Sequence, residues 1–502
     1  MPLVEHPKQP RSVRLPQRKA TVVAETDVLV VGGGPAGLGA ALGAADAGAR
    51  VVLAERHGFL GGNATAALVM PLMSYYTRRG LPEAETAAQL MPMDHGPGEP
   101  VVEGALARLI DRVRRMGGAI GPSARTGYTV PFDPEVLKCA AIDLLEEAGV
   151  QLLLHSFASG VLEPLSALSM RGFGGGTGAR GVIFETKSGP IVVGARTLVD
   201  CTGDGDIAGF AGASFEMGRE EDGLTQPMTL MFRMSQFDQP LFERYVDENS
   251  DQWKGVFGLW DLIREARQAG ELTLPREDIL LFGGVRPGEV SVNSTRVSAL
   301  AGTDVFDLTR AEVLSRRQLR QIVAFLRERV PGFEHSYVVQ SGSCVGVRET
   351  RRIVGEYRLE AEDVIQARKF EDVIARCAYP IDIHDPSGTG TRLERLPEGQ
   401  WYDIPLRCLL PQGIEGVVVA GRCISGSHEA HSSYRVMPVS MATGQAAGVC
   451  AALASAAGVF PRQVLASHVQ EELLRQGASL GDAGAPKDVC SADCGCRLCR
   501  VA

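Results

Sequence analysis

The chain has no basic excess, no regular cysteine pairing through most of its length, and no apolar run long enough to cross a bilayer. Its 51 Lys and Arg are outnumbered by 60 Asp and Glu, giving a net charge of −9. Nothing in that balance attracts phosphate backbones or anionic membranes, so no nucleic-acid partner is expected. The apolar stretch 437–459 is interrupted by Thr443, Gly444 and Gln445, so no membrane span is expected either. Residues 1–25 lack the apolar segment of a secretory signal, and a cytoplasmic location follows as the expectation. Cys139, Cys201, Cys344, Cys377, Cys408, Cys423 and Cys450 are scattered without paired spacing. That pattern suits small buried hydrophobes better than a disulfide framework. No internal repeat is evident.

What is present is a chain of 502 residues with 45% hydrophobic and 22% charged content, enough for two to four domains with a large core. The densest information lies in residues 26–62, TDVLVVGGGPAGLGAALGAADAGARVVLAERHGFLGG. Gly32, Gly34 and Gly37 form G-x-G-x-x-G directly after a predicted strand, 27–31, and at the start of a predicted helix, 35–47, opened by Pro35 and Ala36. Gly32 permits a tight turn, Gly34 lets backbone N–H groups approach a pyrophosphate, and Gly37 lets helix and strand pack closely. A second strand, 50–54, ends at Glu55, the spacing at which a carboxylate accepts hydrogen bonds from a ribose; Arg56 follows it. Strand, glycine turn, helix and acid in register point to dinucleotide binding.

Further along, residues 103–116 read as an amphipathic helix. Residues 133–148 read as a second helix, with Asp133 at its start, Pro134 in its first turn and Gly149 at its end. Strands are expected at 150–154, at Gly181–Thr186 and at 190–193, the last two joined by a Lys-Ser-Gly hairpin turn. Residues 196–205 read as a strand running into a glycine-acid loop. Gly174, Gly176 and Ala179 formally match a variant dinucleotide pattern, but a strand follows where a helix should, so a hairpin loop is the better reading. From residue 214 to 405 aromatics and charge rise and alanine falls. After that the chain returns to its first style, with the apolar run 416–420 and an Ala/Gly helix from Met437.

These segments together resemble the FAD-dependent oxidoreductase family, whose flavin domain is shared with fumarate-reductase-like flavoproteins and the flavin subunit of heterodisulfide reductase. The motifs are VVGGGPAGLGAAL, ERHGFLGGNAT, DPEVLK, LVDCTGDGDIAGFAGA, QPMTLMFR, GVRETRRIVGEY, YPIDIHDPSG and AGRCISGSHEAHSSYRVMPVSMATGQAAG. The resemblance implies FAD as cofactor and an α/β fold with a Rossmann-like FAD-binding domain of the glutathione-reductase-like type. That domain would be discontinuous: a flexible lead at 1–25, a first part at 26–213, an inserted α+β substrate domain at 214–405, a second part at 406–477, and a cysteine-rich tail at 478–502. It also implies that Gly61 and Gly62 let a loop cross near the flavin and that Asn63 bonds phosphate or ring. Gly203 with Asp204 and Asp206 would lie under the adenine side, although helix capping explains the two acids equally well. Gly421 and Arg422 would meet the ribityl chain or pyrophosphate. Gly444 and Gln445 would begin a helix aimed at the flavin's pyrimidine side.

Three clusters compete to handle substrate. Arg348, Arg351 and Arg352 sit at helical spacings with Glu349 and Glu356; Arg348 and Arg352 would share a face suited to a carboxylate, or the segment is a solvated helix face. Asp382 and His384 alternate on an extended segment and should point to one side, as a proton relay or as a structural hydrogen bond. His428 and Arg435, in a segment expected to be a polar loop beside the flavin, match the family motif and are the first choices for substrate contact. His431 is less expected there. The tail adds Cys490, Cys494, Cys496 and Cys499, which read as thiolate ligands of zinc or an iron–sulfur cluster, as redox thiols, or as a segment without a role.

The functional expectation is an FAD-dependent oxidoreductase exchanging hydride with a small polar organic substrate, oxygen, a quinone or another protein being the second electron partner. An electron-transfer flavoprotein subunit serving an iron–sulfur cluster or a partner protein is the rival. A non-catalytic flavin sensor is a weaker third.

Overall fold

The computed structural model describes residues 3–79, 90–93, 95–162, 181–388 and 390–481. The glycine-rich hairpin segment around Gly174 and the four tail cysteines lie outside them. Strand β1 (Thr21–Val31) leads through the glycine turn into α1 (Pro35–Asp46) and then β2 (Val51–Ala54). The first strand starts six residues earlier than its apolar run suggests, because Thr21 to Thr26 pair with Ile191 to Ala195 in the sheet. Helices α2 (Ala105–Arg115) and α3 (Pro134–Glu147) follow. The Asp133 carboxylate caps α3 by accepting the Glu135 N–H at 2.9 Å.

Strands β3 (Gln151–Leu153), β4 (Phe157–Val161), β5 (Gly181–Thr186) and β6 (Gly189–Asp200) complete most of the main sheet, in the order β3-β2-β1-β6-β5-β4. The two strands expected at 190–193 and after 196 are one continuous strand, β6. Its first half pairs antiparallel with β5, while its end, Leu198 to Asp200, pairs in parallel with β7 (Val417–Val419). Pairing of Val31 with both Ala54 and Asp200, and of Val419 with Asp200, brings four carboxyl ends level. In an open α/β sheet ligands bind at that edge.

A short α4 (Asp206–Phe210) follows β6, and the C-terminal segment adds α5 (His428–Tyr434) and α6 (Met437–Ala457) after β7. Against the expectation that no apolar run is long enough to cross a bilayer, helix α6 does reach that length and apolarity, but 83% of its most apolar window is buried inside the fold. It lies against α1 with backbone touching backbone: a Cβ on Gly444 would fall 2.0 Å from the Ala36 carbonyl oxygen. Gly444 and Gln445 therefore do not begin a helix. They sit two turns inside α6, where Gln445 accepts the Ala105 N–H at 3.0 Å and donates to Gln476 at 2.9 Å.

A second sheet has six strands drawn from residues 253–258, 279–292, 232–235 and 337–341. Its core gathers Phe232, Phe242, Trp253, Leu281, Phe325 and Phe333. Ile353, Leu359, Ile374, Ile381 and Ile404 pack instead with the main core. The described residues of 214–405, expected as one insertion, contribute to both of these cores and to a third cluster of Met228, Leu230, Val297, Ala311 and Val345.

Candidate functional site

The glycine turn follows from the sheet register. Gly32 holds φ at +101°, and a Cβ there would sit 2.4 Å from the Cys201 carbonyl oxygen at the end of β6. A Cβ on Gly37 would fall 1.7 Å from the Gly32 oxygen, so only glycine lets α1 approach the strand this closely. Gly34 is different. Its backbone is ordinary, and a Cβ would meet only the Gly62 Cα, at 3.6 Å. No side chain caps α1, which leaves its first N–H groups and positive dipole end facing that opening. Buried Glu55 accepts the Gly33 N–H at 2.6 Å and the His57 N–H at 2.8 Å, tying the turn to the second strand. The Gly61 N–H donates to the Gly33 carbonyl at 2.8 Å, so the second glycine pair lies across the first. Asn63 stands beside them, its amide 3.5 Å from the Val347 carbonyl. Arg56 is exposed and bonds His57 at 3.3 Å.

The loop after β6 meets the loop after β7. Arg422 donates to Asp204 at 2.7 Å, and Thr350 donates to the same oxygen at 2.8 Å. Arg351 bonds the Asp204 carbonyl and the Asp206 carboxylate. The acids do not cap α4; Thr202 accepts the Asp206 N–H and Asp200 accepts the Ala208 N–H. Gly421 packs on α1, where a Cβ would lie 2.8 Å from that of Ala36, and Gly203 lies beneath the Arg422 guanidinium. The Arg422 Nη1 is buried and, among the described residues, has no acceptor. An open helix N-terminus, a glycine cradle and a buried guanidinium N–H match what an FAD pyrophosphate and its ribityl side require.

Residues 346–357 are not a helix. Arg351 to Ile353 form a strand paired with Phe215 to Met217, so Arg348 and Arg352 share no helical face. Arg352 is fixed in the interior, bonded to Glu349 and to the Gly218 and Gly426 carbonyls. Arg348 turns elsewhere, donating to the Pro227 carbonyl at 2.7 Å and the Thr229 hydroxyl at 2.5 Å. Near it, Asp382 and His384 do share a side of the strand Ile381–His384, with Nε2 of the imidazole 3.7 Å from the carboxylate. Tyr379 donates to Asp382 at 2.7 Å, and Arg435 reaches the Asp382 carbonyl at 3.2 Å. Arg296 donates to the His384 Nδ1 at 3.1 Å.

This is a cation-rich crevice. Arg276, Arg296, Arg348 and Arg435 all act on His384, and burial together with those charges holds it neutral, well below the usual imidazole range. Desolvation and the neighbouring guanidiniums push Arg348 down to about 9 and Arg296 to about 10. Arg296 and Arg276 were not legible as site residues, since nothing in their local sequence marks them. Gln226 and Tyr379 lay in quoted motifs without a role.

Residues 428–434 form a helix rather than a loop, begun by Ser427, whose hydroxyl accepts the Ala430 N–H. His428 is 4% exposed and its Nδ1 lies 2.9 Å from Glu349, which is fully buried. His431 is completely buried, edge-on to the Tyr434 ring, with both nitrogens unpartnered among the described residues. Burial, then the charges of Arg352 and Arg435, drive its pKa well below the usual value. Below an unfolded value of about 6.5, the unfolded chain binds a proton that the folded ring refuses, so stability falls with acid. One such ring contributes about 1.4 kcal/mol per pH unit. His431→Leu should flatten the fall in unfolding free energy, read from urea titrations between about pH 6.5 and 5, by up to that amount. An unchanged slope would mean the fold accommodates the imidazolium.

Residues 27–473 match the family described as FAD dependent oxidoreductase. No curated protein matches the sequence. Among solved structures, a geranylgeranyl bacteriochlorophyll reductase-like protein from Thermoplasma acidophilum aligns at 13% identity, with a TM-score of 0.40 over 91% of this chain and 84% of that one. The OxyS anhydrotetracycline hydroxylase from Streptomyces rimosus aligns at 13% identity and 0.41 over 90% and 68%. The myxobacterial chondrochloren halogenase CndH, a variant of FAD-dependent halogenases, aligns at 14% identity with a TM-score of 0.40 over 90% and 79%. With residues 27–473 inside one family match, the protein belongs to the FAD dependent oxidoreductase family.

Proposed function

We propose that this flavoenzyme exchanges hydride with a small polar organic substrate that carries a negative charge, bound between the main sheet's loops and the second sheet. The cofactor would be held by Gly32 to Gly37, Glu55, Gly61 to Asn63, Gly203 with Asp204, and Gly421 with Arg422. FAD supplies the two-electron chemistry when bound; the chain supplies orientation and proton handling. The observation that carries the reading is the surplus of guanidinium charge around His384. Among the described residues neither Arg296 nor Arg348 has a carboxylate within ion-pair distance, while Asp382 is shared by Tyr379, His384 and Arg435. An anionic group on the substrate would complete that charge balance, and Arg is suited to bind it in two-pronged fashion.

The test is anaerobic mixing of the FAD-loaded protein with paired compounds, each carboxylate against its neutral amide or ester. Bleaching of the oxidised flavin band should occur with carboxylates, and the neutral partners should be slower by about a hundredfold, the weight of one buried charged pair. Equal rates within each pair would overturn the anionic assignment. The rival electron-transfer role rests on Cys490, Cys494, Cys496 and Cys499. It gains ground if no small molecule bleaches the flavin and the purified protein carries iron or zinc.

A further inference from the structure

We propose that Glu349 is a positioning residue that fixes His428 in the Nδ1–H tautomer and so makes Nε2 the proton acceptor of the site. The inference rests on the hydride-exchange reading above. Among the described residues, both hydrogen bonds of Glu349 whose direction is fixed by their donors are ones in which it accepts. One oxygen takes the Gln226 N–H at 3.0 Å, and the other takes Arg352 and faces the His428 Nδ1 at 2.9 Å. An acceptor surrounded by donors is a carboxylate, so Nδ1 must carry the proton. The other ring nitrogen then presents a lone pair, and Nε2 is buried without a partner among the described residues.

The second histidine has the opposite arrangement. His384 accepts at Nδ1 from Arg296, which leaves its proton on Nε2, facing Asp382. It is spent as a donor and ringed by guanidiniums, which disfavour any further proton. Gln226 bridges the two segments: its backbone N–H binds Glu349, its side-chain carbonyl takes the backbone N–H of His384 at 3.4 Å, and its side-chain amide nitrogen is buried and, among the described residues, unpartnered. The charged and titratable groups acting around His428 are Glu349, Arg352 behind it, His431 on the same helix and Asp222.

The chemistry then balances for a carbon bearing an O–H or N–H. FAD, when bound, would supply the two-electron oxidant that takes the C–H hydrogen as hydride, while the heteroatom proton would pass to His428 Nε2 as a C=O or C=N bond forms. In the reverse direction the imidazolium returns the proton. The substrate class is therefore an anionic alcohol or amine, or the corresponding carbonyl or imine.

The experiment is nitrogen-15 NMR of the FAD-loaded full chain labelled at histidine, with the His428 signals assigned by their loss in His428→Gln. Wild type should show the Nδ1–H form in excess by about tenfold or more, the effect of one hydrogen bond to a charged acceptor. Glu349→Gln offers both a donor and an acceptor and should collapse that preference, while Glu349→Asp should restore part of it. A wild-type His428 protonated at Nε2 would overturn the proposal whether or not the variants fold. So would a folded Glu349→Gln with an unchanged tautomer. An Nδ1–H His428 in a protein whose flavin no small molecule reduces would instead remove the hydride-exchange reading and leave the tautomer assignment standing.

Discussion

Gly34→Val should purify folded and colourless, whereas Gly37→Val should not fold at all. The two glycines belong to one motif, but the structure gives them different work. A Cβ on Gly37 lies inside the van der Waals radius of the Gly32 carbonyl oxygen, at 1.7 Å, and backbone cannot move away without lifting α1 from the sheet. Forcing extra atoms into such a contact costs several kcal/mol, a large fraction of a domain's stability. Gly34 has φ −75°, which any residue adopts, and its Cβ direction meets only the Gly62 Cα at ordinary contact distance. A valine there occupies the space in front of the uncapped α1 N-terminus, where the pyrophosphate must approach the N–H groups. Flavin affinity should fall by at least about a hundredfold, the loss of two or more charge-assisted hydrogen bonds. The check is flavin absorbance per protein together with circular dichroism. A yellow Gly34→Val, or a folded Gly37→Val, would contradict the assignment.

The same contrast explains what the sequence made legible. The strand, turn and helix of residues 27–54 were readable because each residue's requirement is local: an apolar alternation, a positive φ, a small side chain at a fixed offset. The strand at Arg351 to Ile353 was not. Its charges fall at i, i+4 spacing, yet Thr350, Ile353 and Val354 are β-branched and the partner strand Phe215 to Met217 decides the outcome. Helix α5 was hidden by its polar composition, and the Ser427 cap that begins it was not read from the sequence. Contacts that build the site span long stretches of chain. Glu349 meets His428 across 79 positions and Arg296 meets His384 across 88. No spacing rule connects such pairs. The return of β7 to the main sheet was legible because its apolar run, glycine and small-residue helix repeat the style of the N-terminal unit.

Arg348 and Arg352, four positions apart, should respond to the same substitution in opposite ways. Arg352 is 2% exposed and neutralises Glu349, which is 0% exposed; Arg352→Met leaves that carboxylate buried with only the imidazole and one N–H. Breaking a buried pair from one side costs about 3–5 kcal/mol, so the melting temperature should fall sharply. Arg348 has no carboxylate among its described partners, and its charge is opposed by desolvation and by Arg435, Arg276 and Arg296. A cation whose folded pKa is depressed destabilises the fold at every pH where it stays protonated, including pH 7. Arg348→Met should therefore hold or raise the melting temperature. Its loss should appear in turnover instead: kcat/KM for an anionic substrate down by about 30-fold to about 5,000-fold, from the roughly 2–5 kcal/mol that a desolvated charge pair contributes. The neutral analogue should change little. Calorimetry beside single-turnover flavin reduction measures both effects. If Arg348→Met unfolds the protein, or slows charged and neutral substrates equally, the crevice is held together by its arginines rather than kept open for an anion.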